Sequence, residues 1–109
     1  VRTAARARAL ENQIATVQSS TVGEALWSPA VDRNAGAAGI YVPSEANLSM
    51  TGTLAEGHLN EPGWVSAEVD FSALRELRNS GEMRNAADWA LQPGAHPLAQ
   101  EVEVVDLGA

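Results

Sequence analysis

The feature that most restricts the fold is a change of period near the start of the chain. Val1 to Gln13 contains helix formers without Gly or Pro, and Thr3, Ala7, Leu10 and Ile14 recur at spacings of three and four. From Ile14 to Ser20 the pattern becomes alternating, with Ile14, Thr16, Gln18 and Ser20 on one side and Ala15, Val17 and Ser19 on the other. A helix therefore feeds directly into a strand, which places the chain in the α+β class. The alanines give the helix a narrow face that permits close approach to a neighbour. On its outer side, Arg8 and Glu11 at i,i+3 add about 0.2–0.5 kcal/mol.

The rest of the chain continues this alternation of element types. Thr21 to Gly36 is rich in turn formers and reads as a long loop that Trp27 packs against something. Ala37 to Val42 has the β-branched and aromatic content of a strand, ended by Pro43. Gly52 to His58 and Gly63 to Asp70 read as two further strands, expected to pair antiparallel through the turn Asn60-Glu61-Pro62-Gly63. Asp70 is placed to cap a helix from Phe71 to Ser80, with Phe71, Leu74 and Leu77 on one face and Gly81 at its end. Met83 to Leu91 predicts a short helix carrying Trp89, and Gln100 to Leu107 alternates as a terminal strand.

Composition narrows the function. The chain's 109 residues suit a single domain, 1–109, with an expected core but little reserve of stability. Fourteen acidic against seven basic residues give a net charge of −7, which disfavours nucleic acid and anionic lipid as partners. There is no cysteine, and all seven basic residues are arginine, so no thiolate and no lysine amine comes from this polypeptide. No stretch of about 18 apolar residues and no secretory signal is present, so no membrane span is expected, and a cytoplasmic location is.

The chemical constellations are sparse. Glu56 and His58 on one strand face could begin a metal site, but no third ligand stands at a recognisable spacing, and no metal or other cofactor is expected. Ser20, His58 and Asp70 assemble into a triad only on paper, because no Gly-x-Ser-x-Gly elbow exposes a serine. Glu101 and Glu103 share one side of the last strand and read as a solvated face. Trp27, Trp64 and Trp89 read as core or interface anchors, since no basic groove accompanies them.

One passage after another resembles a known family. Arg6-Ala7-Arg8-Ala9-Leu10-Glu11-Asn12-Gln13-Ile14-Ala15-Thr16-Val17-Gln18 resembles the Arg-Ala-x-x-x-Glu-Asn helix and following strand of the carbon–nitrogen hydrolase (nitrilase) superfamily. Gly39-Ile40-Tyr41-Val42-Pro43 resembles that family's Gly-x-Ser-x-Ile-x-x-Pro strand and turn, with Ala37 and Gly39 where Gly and Ser are more usual. Leu54-Ala55-Glu56-Gly57 to Val69-Asp70 resembles its closing strands, and Leu74-Arg75-Glu76-Leu77-Arg78 the helix after them. The five pieces stand in one order between Arg2 and Arg84.

The resemblance implies the carboxy-terminal portion of an α-β-β-α sandwich, mostly antiparallel strands with two or three helices. It also implies hydrolysis of non-peptide C–N bonds by a cysteine nucleophile, a glutamate proton carrier and a lysine at the oxyanion, with a thioester intermediate. The sequence lacks Cys and Lys, so the expectation is an incomplete domain, inactive alone and without catalytic residues of its own. Its expected partner is the missing amino-terminal half or a second copy. By the same resemblance Ser19, Ser20 and Thr21 are expected near the substrate pocket, with Ser20 where Asn is common and Gly23 matching a glycine. A non-catalytic α+β interaction module is the competing expectation.

Overall fold

The structure is a computed structural model and describes residues 1–92. The expected terminal strand with Glu101 and Glu103, and His96, lie outside the described residues. In chain order the elements are α1 (Arg2–Asn12), β1 (Thr16–Gln18), β2 (Gly23–Glu24), β3 (Arg33–Asn34), β4 (Gly39–Tyr41), β5 (Thr53–Glu56) and α2 (Phe71–Ser80), followed by a single 3-10 turn at Trp89–Leu91.

The helix-to-strand passage turns on Gln13. It adopts the left-handed conformation, φ 52° and ψ 53°, at the end of α1. Its N–H bonds Leu10 O, and the N–H of Ile14 bonds Ala9 O, so the last carbonyls of the helix are satisfied without a glycine. The chain leaves this cap already pointing along β1.

β1, β4 and β5 form an antiparallel sheet with β4 in the centre. Thr16 stands opposite Tyr41 and Gln18 opposite Gly39, while Gly39 stands opposite Glu56. A bulge shifts the second ladder, so that Ile40 faces Ala55 but Tyr41 faces Thr53. α1 covers one face of this sheet: Thr16 Oγ1 donates to Ala5 O, Arg2 reaches Glu56 and Arg6 donates to Thr51 O. β2 and β3 pair as a separate small hairpin.

α2 begins where its capping carboxylate predicts. Asp70 accepts from the N–H groups of Ser72 and Ala73, and Ala73, Leu74 and Leu77 are buried while Phe71 is exposed. Among the described residues, the other buried apolar side chains are Ala9, Ala37, Ile40, Tyr41, Val42 and Pro43.

Three expectations need correction. Residues 63–70 belong to no strand, because the chain before them stays bound to the segment leading into β4: Gly57 N bonds Ala38 O and Asn60 N bonds Gly36 O. The reversal at Asn60 to Gly63 therefore builds no ladder against β5. Met83 to Leu91 forms a turn closed by Asp88 N on Arg84 O and then the terminal 3-10 turn, not a continuous helix, since no hydrophobic face of that segment is buried. Third, the 21–36 loop folds as the β2–β3 hairpin and holds Trp27 out at 85% exposure, while Trp64 and Trp89 are also exposed, so no tryptophan enters the core.

The molecule is thin and open, 54 × 48 × 16 Å, with a radius of gyration of 19.0 Å. A compact chain of this length has a radius near 13 Å. Its accessible surface is 8662 Å², against about 5,800 Å² for a closed monomer of its mass.

Candidate functional site

Ser19, Ser20 and Thr21 leave the end of β1 and pass beside the segment that leads into β4. Ser20 is half-buried against Gly36, so closely that a side chain at position 36 would collide with it. Its hydroxyl donates to Ala37 O at 3.1 Å and accepts from Gln18 Nε2 at 3.1 Å. Thr21 Oγ1 donates to Asn34 Oδ1 at 2.9 Å, tying the loop to the β2–β3 hairpin. The Asn34 amide in turn holds Val31 O. Ser19 is exposed, and among the described residues its side chain makes no hydrogen bond. The three residues thus sit together, but two of the three hydroxyls are committed to holding the loop.

Gln18, absent from the expected set, organises this corner. Its Nε2 donates to Ala37 O and Ser20 Oγ, while its Oε1 is buried without a hydrogen-bond partner among the described residues. An unmet buried acceptor costs about 1–3 kcal/mol, so this oxygen is a ready receiver for a donor brought to the loop. The only sequence signal for it is a long polar side chain at the centre of an alternating strand.

One register step across the sheet, Tyr41 and Glu56 form a second polar pair. The Tyr41 ring lies over Gly39, and its hydroxyl donates to Glu56 Oε1 at 2.9 Å. Arg2 Nη1 contacts the same carboxylate oxygen at 3.1 Å. The Tyr41 hydrogen bond, with help from Arg2, holds the Glu56 carboxyl below its usual range, and burial followed by the neighbouring carboxylate pushes the Tyr41 phenol up. At neutral pH the pair is therefore a carboxylate fixed by a neutral phenol, and Tyr41 has no second proton to give.

These contacts dissolve the constellations assembled from sequence. Glu56 turns to Tyr41 and Arg2 rather than pairing with the exposed His58, and Asp70 is consumed by the α2 cap. Ser20 donates to a backbone carbonyl, not to a histidine. Among the described residues no three of His, Asp and Glu gather to hold a metal, and no helix is long and apolar enough to cross a membrane. A separate groove of about 660 Å³ runs between α1 and the turn after β4, lined by Arg2, Arg6, Val42, Ser44 and Thr51. As it stands the β1 corner is built to position a loop, with no activated nucleophile.

No family model matches the chain, and no solved structure matches it. A curated relative is the "Probable hydrolase YhcX" of Bacillus subtilis (strain 168), 36% identical over 88 residues. That match takes in 81% of this chain but 17% of the relative's length. The chain is thus similar to a portion of a much larger protein described as a hydrolase.

Proposed function

We propose that this chain is the carboxy-terminal part of an amidase-like hydrolase of the carbon–nitrogen hydrolase type, acting on non-peptide C–N bonds once another polypeptide segment supplies cysteine, lysine and glutamate. The observation that carries the reading is the match of 81% of the chain to 17% of a probable hydrolase. The residue types the chain lacks fix what that other segment must bring: with neither cysteine nor lysine here, the thiolate that attacks the substrate carbon and the ammonium at the oxyanion come from it. The surplus of exposed surface supports it too, since a part removed from a sandwich bares what the other part covers.

In this reading the chain contributes architecture. β1 would deliver the Ser19 to Thr21 loop to the rim of the pocket, with the Gln18 amide and the Ser20 hydroxyl setting its shape and the exposed Ser19 side chain and Gln18 Oε1, which has no partner among the described residues, left for contact. The test is amide and nitrile hydrolysis by the chain alone and together with a co-purified polypeptide identified by mass spectrometry. The expected result is no turnover alone, and turnover of the pair that disappears when the partner's cysteine is alkylated. Hydrolysis by the lone chain would refute the proposal.

The alternative, a non-catalytic interaction module, is favoured by one observation: the Ser20 and Thr21 hydroxyls are already occupied by internal hydrogen bonds. A partner that binds tightly but contains no cysteine would select it.

A further inference from the structure

We propose that the cleft between the α1–β1 junction and α2 is a binding site for a monocarboxylate with an apolar body, its charge taken by Arg75 and Arg78. The cleft has a volume of about 420 Å³, the scale of a small-molecule site, and Gln13, Ile14, Phe71, Leu74 and the two arginines line it. Leu74 is buried, whereas Ile14 and Phe71 keep 37% and 66% exposure. The wall therefore offers apolar surface that is still in water, next to two cations.

Charge and hydrogen bonding select the occupant. Arg75 and Arg78 stand three residues apart on α2, where like charges destabilise a helix unless an anion lies between them. Among the described residues the ion pairs are Arg2–Glu56, Arg8–Glu11 and Arg84–Asp88, so neither cleft arginine has a carboxylate partner there, although the chain carries 14 acidic residues. Neighbouring carboxylates are engaged or placed elsewhere: Glu11 by Arg8, Asp70 by the first turn of α2, and Glu76 in a separate recess with Glu45. Arg78 Nη1 donates to Asn12 O at 3.0 Å, which draws this guanidinium toward the end of α1 and leaves its other N–H groups for a ligand. A guanidinium fork matches a carboxylate bidentately. A sugar or nucleotide would need further polar partners, and the Gln13 amide in the wall is already committed to Met83 O and Ala86 N. This inference involves no catalysis and stands or falls separately from the hydrolase reading.

The probe is 4-phenylbutyrate, compared with its neutral isostere 4-phenylbutanamide, titrated into the 109-residue chain and followed by two-dimensional NMR. Saturable shifts at Ile14, Phe71 and Leu74, and at least about tenfold weaker binding of the amide, are expected. Arg75→Gln removes no ion pair among the described residues, so it should leave the helical circular dichroism unchanged while weakening the acid at least about tenfold. Equal affinity for acid and amide, undiminished binding by Arg75→Gln, shifts that gather away from the cleft, or no saturation by about 10 mM would each overturn the proposal. Binding that emerges only once Glu101, Glu103 and Asp106 are all changed to Gln would overturn it too, by making the chain's own acidic end the occupant.

Discussion

Gln13 does two jobs that conflict locally and agree globally. The left-handed conformation at a helix end is the place of glycine or asparagine, and a longer side chain there costs about 1 kcal/mol. The offset is tertiary: Gln13 is fully buried, its Nε2 donates to Met83 O at 2.6 Å and its Oε1 accepts from Ala86 N at 3.2 Å. Gln13→Ala should therefore lose about 1–3 kcal/mol. Gln13→Gly should lose less, because it relieves the backbone while forfeiting the same bonds; urea midpoints of the two variants check the order. The Tyr41–Glu56 pair carries a pH signature. Glu56 titrates below its ordinary value, so its stabilisation is present above the normal carboxylate range and is lost as pH falls through the folded value. Tyr41 titrates above its ordinary value, so its share is lost as pH rises through that higher value. Tyr41→Phe should be less stable than the parent at pH 7, with the gap narrowing in acid; thermal melts from pH 3 to 8 check it. At this scale Asp70 was readable in advance, because a cap is a local bond, whereas Gln13 and Gln18 were not, because their partners lie far along the chain or across a sheet.

Among the elements, α2 shows how far local signals reach. A capping carboxylate, apolar residues at helical spacing and a terminal glycine set its limits at Phe71 and Ser80, as expected. Asp70→Ala should remove about 0.5–2 kcal/mol and reduce far-ultraviolet helical signal, since two N–H groups of the first turn lose their acceptor. β1, β4 and β5 were legible in position and overlong in extent, as β1 and β4 each pair over three residues, whereas β2 and β3 fall in the stretch read as a loop. Residues 63–70 carry every local mark of a strand and form none, for alternation gives a segment two faces but cannot supply the neighbour that completes a ladder. The tryptophans misled for a related reason: size argues for burial somewhere, and sequence does not say in whose interior.

For the molecule as a whole, the α+β character was plain from the opening change of period, but the openness was not, since composition alone resembles that of closed domains. With a radius of gyration of 19.0 Å, the lone chain has few groups to bury and should unfold without a sharp transition. Its urea dependence is expected at or below about 1 kcal/mol/M, the shallow end for small proteins. Small-angle scattering should return a radius near 19 Å for the isolated chain, and denaturation should steepen on binding of a partner. A steep, two-state unfolding of the isolated chain would show that its surface needs no cover. The small hairpin of β2 and β3 places Leu26 and Trp27 at 85% exposure each, which makes that tip a region to watch for protection on association.

The seating of the Tyr41 ring on Gly39 makes the two positions interdependent: a Cβ at 39 would run into the phenol, so the space above 39 is already spent on position 41. Gly39→Ala should therefore cost more in the parent than in a Tyr41→Ala background, and a double-mutant cycle reads the coupling between them.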